Sequence, residues 1–381
     1  MQTKVSLIKC ENYDFTAVEA AVRRAVALIG DISTLVRPGE RILIKPNLLG
    51  AKEPDRHITT HPEIVRAIVR MVKNAGATPV VGDSPGGAIK GVERVWEKTG
   101  MKQMALEEGI ELINFETAGS REIKINHPGV PTIQVSKAVL DCDGIINVPK
   151  LKSHGLMIFT GAIKNFYGII PGLRKATYHK LAPHPDEFGE LLAEIYGTVL
   201  SKIRCTVIDG IVAMEGNGPS SGDLRRMDLI AASRDGLALD TTLTRLLGFD
   251  PMKIDMLHQA ARKGLGEFQS SRVEIVGDDI TQFHFSGFKF PSNWYIKLVP
   301  HFFVNILGKL IWLKPQIQSN QCRNCMLCVE SCPVKAIVST PPGKPVVVLK
   351  DCISCLCCHE LCPYKAIELK KSMLSKLLIR Q

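Results

Sequence analysis

Eight cysteines carry the clearest chemistry in this chain of 381 residues. Cys322, Cys325, Cys328 and Cys332 are followed thirty residues later by Cys352, Cys355, Cys358 and Cys362, and each run has the spacing C-x2-C-x2-C-x3-C-P, closing on Pro333 and Pro363. Three thiolates at every third position of a tight loop can wrap one face of a cubane iron–sulfur cluster, which leaves a fourth ligand to arrive from elsewhere. Zinc also accepts C-x2-C pairs, but a tetrahedral zinc site needs two pairs and no third cysteine at the same interval. Both copies continue as Pro-x-Lys-Ala-Ile, Pro333 to Ile337 and Pro363 to Ile367, so the segment reads as one duplicated unit with pseudo-twofold symmetry. Nine of the twelve cysteines fall within residues 322–362, a crowding that points to metal rather than to disulfides.

This double motif closely resembles the bacterial-type two-cluster ferredoxins. The resemblance implies two 4Fe-4S clusters in which the cysteine before proline ligates the other cluster. One site then uses Cys322, Cys325, Cys328 and Cys362, and its partner Cys352, Cys355, Cys358 and Cys332. Cys357 is additional to the pattern, either a packed thiol beside the cluster or an exchange partner for Cys358. Between the halves, IVST-PPGK-PVVVL predicts a hairpin with Pro341, Pro342 and Gly343 at its turn. Neighbouring clusters serve to pass single electrons. The many basic residues around them, Arg323, Lys335, Lys344 and Lys365 among others, predict a less negative potential than that of an acidic ferredoxin, or a docking face for an acidic electron donor. Cys10, Cys142 and Cys205 lie in or beside expected strands and read as core.

A second group of candidates follows the apolar runs of the larger part of the chain. Four stretches read as loops after strands: Lys45-Pro46-Asn47, Gly82 to Gly87 with Asp83 and Ser84, Lys150 to Asn165, and Asp209 to Asp223. If those strands are parallel, the loops converge at their carboxyl ends, where open α/β sheets bind ligands. Ordinary turn chemistry is the plain alternative for any one of them. From Gly144 to Pro185 there is no Asp or Glu, against six Lys and Arg, three His and five Gly. Cations on a glycine-rich backbone suit a carboxylate or phosphate, with Lys150, Lys152, His154, Lys164 and Asn165 as leading contacts. His154 is the natural proton donor, because an unperturbed imidazole titrates at about 6.5, although a lone histidine is more often structural. Asp209, Glu215 and Asp223 surround a Gly-rich turn and could bind a divalent ion, orient lysines, act as an acid/base pair, or form Asx turns and a cap.

The elements that must position these residues follow from periodicity. Short apolar runs at VSLI near the start, 41–47, 78–84, 144–149 and 205–211 alternate with helical patterns at 15–29, 61–76, 91–108, 186–202, 236–247 and 253–264. That alternation predicts an α/β domain with a largely parallel sheet, followed by a small α+β ferredoxin-like domain. In HPEIVRAIVRMVKNAG, Ile64, Ile68, Met71 and Val72 share a face between Pro62 and Gly76. Residues 120–135 read as an antiparallel excursion.

Together, KPN at 45–47, GDSPGG at 82–87, the NVPKLKSHG to KNFYG run and DGIVAMEGNGPSSGD look like the family called domain of unknown function 362, which is often joined to a ferredoxin module. The resemblance covers nearly the whole chain. Its pattern maps onto Lys45, Asn47, Asp83, Lys150, Lys152, His154, Lys164 and Asn165, and it implies the architecture and the clusters rather than a substrate.

The expected organisation is an α/β domain at 1–279, a linker with an amphipathic apolar helix at 280–318, the two-cluster domain at 319–370 and a basic tail at 371–381. Residues 1–279 hold 35 Lys and Arg against 34 Asp and Glu, while 280–381 hold 13 against 4, so nearly all of the net charge of +10 sits at the end. A near-neutral α/β domain without a basic, aromatic-laced stripe argues against nucleic acid. In 294–313, Lys297, His301, Asn305 and Lys309 lie four apart on an otherwise apolar stretch. That fits a helix packed between domains, or an interfacial anchor whose acid-free surroundings are drawn to anionic lipid. The start MQTKVSLIKCENYDF lacks a secretory pattern, and no uncharged run reaches the roughly 18 residues of a spanning helix, so the expected place is the cytoplasm, with peripheral contact at the inner membrane face if 294–313 meets lipid. No G-x-G-x-x-G fingerprint supports NAD, which leaves flavin or another organic cofactor open. The expected function is an iron–sulfur oxidoreductase passing electrons to an anionic small molecule in the crevice. Its rival is a non-enzymatic electron-transfer or maturation protein that docks on a partner.

Overall fold

The computed structural model describes residues 2–86, 91–172, 174–291, 313–332, 334–339, 343–353, 357–362 and 364–371. In chain order the strands of the larger domain are β1 (Thr3–Lys9), β2 (Arg41–Pro46), β3 (Thr78–Asp83), β4 (Glu111–Asn114), β5 (Ser120–Lys124), β6 (Thr132–Ser136), β7 (Gly144–Val148), β8 (Lys150–His154), β9 (Ile158–Thr160), β10 (Ile203–Glu215), β11 (Asp223–Ser233) and β12 (Val273–Gly277). All but β5 and β6 form a ten-stranded sheet with the path β12-β1-β11-β10-β7-β2-β3-β4; β8 pairs with β10, and β9 pairs with β8. From β10 through β7, β2 and β3 to β4 the pairing is parallel, as the periodicity predicts. β5 and β6 form the antiparallel excursion expected at 120–135.

A parallel sheet must be covered on both faces, and the strand residues divide accordingly. Leu43, Val80 and Ile145 enter one core, whereas Ile42, Ile44, Val81 and Ile146 enter the other. The helix Pro62–Asn74 buries Ile64, Ile68, Met71 and Val72 in that second core, the face read from its spacing. The helix Phe15–Ile29 is started by Asp14, whose carboxylate accepts N–H groups from Thr16 and Ala17 at 3.0 and 3.3 Å. The pattern at 91–108 is two helices, Val92–Lys98 and Met101–Glu108, because Gly100 between them takes φ +75°.

Two stretches expected as loops are largely regular. The Asp209 to Asp223 segment is strand up to Glu215 and resumes at Asp223, so only residues 216–222 turn. Lys150 to Asn165 contains β8, β9 and the short helix Ala162–Asn165. Charged residues fit inside these strands because they compensate one another across the ladder, Asp209 of β10 lying opposite Lys150 of β8.

The cysteine module has its own strands: β13 (Leu313–Ile317), β14 (Ile337–Val338), β15 (Val346–Val347) and β16 (Ile367–Lys371). β13 pairs antiparallel with β16, so the module extends from Leu313 to Lys371, and β14 pairs with β15 as the predicted hairpin. Shifting by thirty residues converts the Ile317–Ile367 pair into the Val347–Ile337 pair, which is the twofold relation that the duplicated motif requires. Of the stretch 294–313, all but Leu313 falls outside the described residues, as do Pro341 and Pro342 and all of the basic tail beyond Lys371.

Candidate functional site

Two short helices, Leu327–Glu330 and Cys357–Leu361, lift their cysteines into a small core of Cys328, Ile337, Cys358 and Ile367, again related by the thirty-residue shift. A space of about 20 Å³ has Cys322, Cys325, Cys328 and Cys362 in its lining, three from the first run and the one before Pro363. Burial pushes the Cys328 thiol up to about 11, and the neighbouring Cys325, Cys362 and Cys322 add to that rise. Asn324 and Met326 adopt φ +52° and +60° on either side of Cys325, which curls the run around this space. The Cys332 sulfur accepts the Ala336 N–H at 3.1 Å, and the Cys362 sulfur accepts the Ala366 N–H at 3.3 Å. Three cysteines of one run on the same space as the cysteine before Pro363 make up the ligand set of an iron–sulfur cluster, and the Cys362 sulfur already has a backbone donor. Of the other foursome, Cys332, Cys352 and Cys358 are described, while Cys355 lies outside the described residues.

At the carboxyl edge of the parallel strands, Lys45 of β2 meets Asp83 of β3. Lys45 Nζ lies 2.8 Å from Asp83 Oδ1 and donates to the Pro46 carbonyl at 3.2 Å, while Asp83 Oδ2 accepts the Leu48 N–H at 2.8 Å. Burial lowers the Lys45 pKa and the carboxylate opposes that fall. Gly168 sits over the pair, and a Cβ there would come within 2.1 Å of Asp83 Oδ1 and 2.6 Å of Lys45 Nζ. Asn165 knits the neighbouring strands: its Nδ2 donates to Asn147 Oδ1 at 2.8 Å and to the Lys45 carbonyl at 3.2 Å, and its Oδ1 accepts from Asn47 Nδ2 at 3.1 Å. Asp240 fixes the helix that carries Lys164 and Asn165, its two oxygens accepting the Ala162 and Ile163 N–H groups at 2.7 and 3.0 Å; burial raises its pKa to about 7.

The three β8 candidates are buried and engaged within the protein. Lys150 Nζ is 2.9 Å from Asp209 Oδ1 and 2.7 Å from the Tyr13 hydroxyl, and the other Asp209 oxygen accepts the His61 N–H at 2.9 Å. Tyr13 stacks on His61 with centroids 4.0 Å apart, and burial lowers the His61 pKa to about 4. Lys152 donates to Asn47 Oδ1 at 2.6 Å and to the Ile58 carbonyl at 2.8 Å. His154 Nδ1 accepts N–H groups from Leu156 and Met157, both at 3.2 Å, which places its ring proton on Nε2. Burial, helped by Lys164, holds the His154 pKa well below the usual imidazole range, so the ring is neutral at neutral pH. Glu215 lies at the end of β10, where it ties down Arg225 and the Lys289 N–H, both at 3.1 Å.

Lys45, Asn47, Asp83, Ser84, Lys164 and Asn165 line one cavity of about 130 Å³. Its opposite wall belongs to the cysteine module, through Ser331, Cys357 and Leu361. Lys150, Lys152, His154, Asp209 and Glu215 are not in that lining. Lys175 is, and the sequence reading passed over it: it donates to the Ser84 carbonyl and Oγ, both at 2.7 Å, and to the Ile170 carbonyl at 2.9 Å. Burial lowers the Lys175 pKa to about 8 against the pull of Asp83 and Glu116. His179 completes the wall, stacked 4.2 Å from Phe188 and lowered by burial to about 3. The described lining therefore holds three lysines against one carboxylate, which favours an anion. Lys175 was detectable in principle, since it belongs to the acid-free run; Tyr13, 137 residues from Lys150, gave no sign of its role. A second cavity, of about 300 Å³, also opens between the two domains, beside Cys325 and Cys362.

The pattern of the family described as Domain of unknown function (DUF362) matches residues 42–245, and that described as 4Fe-4S dicluster domain matches residues 321–366. The second match establishes iron–sulfur binding and an electron-transfer module. A thylakoid-associated protein of Synechocystis is 36% identical over 269 residues, which cover 70% of this chain and 81% of that one. Among solved structures, the apoprotein of lactate racemase from Thermoanaerobacterium thermosaccharolyticum is similar with a TM-score of 0.41 and 14% identity, over 64% of this chain and 57% of that one.

Removing one member of a buried ion pair strands the other. Asp83→Asn should therefore destabilise the protein by about 3–5 kcal/mol, and Lys45→Met combined with Asp83→Asn should cost less than Asp83→Asn alone. Urea unfolding followed by tryptophan fluorescence measures both; a single-variant loss below about 0.5 kcal/mol would contradict the pair's structural role.

Proposed function

Because this chain belongs to the domain of unknown function 362 family and carries a 4Fe-4S dicluster domain, we propose that it is an iron–sulfur oxidoreductase. In this reading two 4Fe-4S clusters are held by crossed ligation: Cys322, Cys325, Cys328 and Cys362 for one, and Cys352, Cys355, Cys358 and Cys332 for the other. The observation that carries the reading is a convergence. Six residues singled out by sequence line one cavity, and Cys357, next in the chain to the ligand Cys358, forms part of its far wall. Electrons supplied by an acidic protein donor reach a small anionic substrate there, held by the charge of Lys164 and Lys175. Lys175, with a pKa of about 8, acts on the substrate through its charge, because Ser84 and Ile170 accept its three N–H protons, while the neutral, buried His154 lies outside the cavity lining. Lys150 and Lys152 lie outside the cavity lining and do not touch substrate.

The reading includes a place at a membrane surface. The relative is thylakoid-associated, and the stretch 294–313 with the basic charge around it suits peripheral attachment to anionic lipid. Among the described residues, no helix is long and apolar enough to cross a membrane.

Crossed ligation is tested by pairs of substitutions. Cys322→Ala with Cys362→Ala removes two ligands of the same cluster and should leave about four iron atoms per chain, whereas Cys352→Ala with Cys362→Ala should disable both clusters. Iron and sulfide analysis of anaerobically reconstituted protein decides, and the reverse pattern would show local rather than crossed ligation.

The enzymatic reading is tested by reoxidation of photoreduced protein with size-separated cell extract. The small-molecule fraction should reoxidise it, with an apparent KM at least about tenfold higher in Lys164→Met and Lys175→Met at unchanged iron content. Lys175 is charged below its pKa, so this dependence should weaken as pH rises through about 8. Reoxidation by the macromolecular fraction alone would instead identify a docking protein.

A further inference from the structure

The larger interdomain cavity, of about 300 Å³, adjoins the substrate site just described, sharing Leu49 and Leu361 with it, but its charged residues are different. Four cations border it: Lys52, Arg56 and Arg94 from the α/β domain and Lys365 from the cysteine module. No carboxylate lines it among the described residues. Arg56, Arg94 and Lys365 are exposed, so the cavity is reachable from solvent. Its remaining wall is apolar, with Ile58, Val95, Leu327 and Leu361, and Tyr364 beside them. Cys325 and Cys362 form part of the floor, which puts any occupant against the ligands of the first cluster.

These features select a ligand with two unlike ends. Two guanidinium groups present paired N–H donors that match the oxygens of a phosphate, and the lysines add charge without geometric demand. An apolar wall on the same cavity rewards a hydrocarbon or ring portion, and a volume near 300 Å³ stands at the lower end of the range for organic ligands. A cluster with four thiolates is itself anionic, and some of this positive charge offsets it. The exposed arginines nonetheless point to a second anion, because they belong to the other domain and face open space.

We propose that this cavity binds a small organic phosphate, with Arg56 and Arg94 on the phosphate and the apolar portion against Val95, Leu327 and Leu361. The proposal rests on the two-cluster reading only in placing that phosphate beside a cluster; the binding itself does not depend on it.

Calorimetric titration of the anaerobic, iron-loaded protein with inorganic phosphate and with phenyl phosphate tests the site. Both should bind, phenyl phosphate about tenfold more tightly because its ring is buried. Arg56→Gln with Arg94→Gln should weaken both by about tenfold or more. Electron–nuclear double resonance on the unsubstituted protein, reduced by one electron, should show a phosphorus coupling when phenyl phosphate is present, and this needs no variant to fold. Absence of binding would overturn the proposal and leave the cations as a docking rim for an acidic protein. Equal affinity for the two probes would overturn its organic part, and unchanged binding by the double variant would place the anion elsewhere. Binding without a phosphorus coupling, in protein whose iron content confirms its clusters, would likewise overturn it. Low iron content would instead count against the two-cluster reading, with the calorimetry still judging the cavity.

Discussion

Burying a lysine ammonium is tolerated when a carboxylate is buried with it, and the carboxyl edge of this sheet is organised around two such pairs. Lys45 with Asp83 joins β2 to β3, and Lys150 with Asp209 joins β8 to β10. Each pair fixes a strand end, and from those ends hang Asn47, Ser84 and the chain leading to Lys164. Gly168 can lie directly over the first pair only because it has no Cβ. Outside these two ion pairs, Lys164 and Lys175 add positive charge to the lining of the smaller cavity, whose other wall belongs to the cysteine module.

The cysteine module follows a different constraint. Its strands are short and its core small, so the thiols themselves form much of the packed interior, as Cys328 and Cys358 do beside Ile337 and Ile367. The duplication makes the two halves interchangeable, and the exchange of one cysteine between them, as the two-cluster resemblance implies, would lock the halves together. The α/β domain meets both halves: Ser331 and Cys357 face the smaller cavity, while Cys325 and Cys362 face the larger.

Much of this was legible in the sequence because it depends on local pattern. The parallel strands, the apolar face of Pro62–Asn74, the hairpin between β14 and β15 and the fourfold cysteine spacing all follow from periodicity or short-range spacing. What the sequence concealed depends on partners far apart in the chain. Asp209 allowed several readings, an Asx turn and the orienting of lysines among them; it stands inside a strand and pairs with a lysine because Lys150, Tyr13 and the His61 N–H surround it. Lys150, Lys152 and His154 looked available to a ligand because their spacing does not disclose that Asp209, Asn47 and two backbone N–H groups already hold them. Lys175 was passed over for the converse reason, as one cation among several in the acid-free run.

The central claim is that the cavity of Lys164 and Lys175 and the cluster beside Cys357 form one redox site. A redox titration followed by electron paramagnetic resonance, comparing the native protein with Lys164→Met plus Lys175→Met, tests it directly. Removing positive charge near a cluster disfavours its more negative, reduced state, so one of the two midpoint potentials should fall while the other stays in place. Two unchanged potentials would contradict the account, because they would mean that the cavity charge is not felt by either cluster.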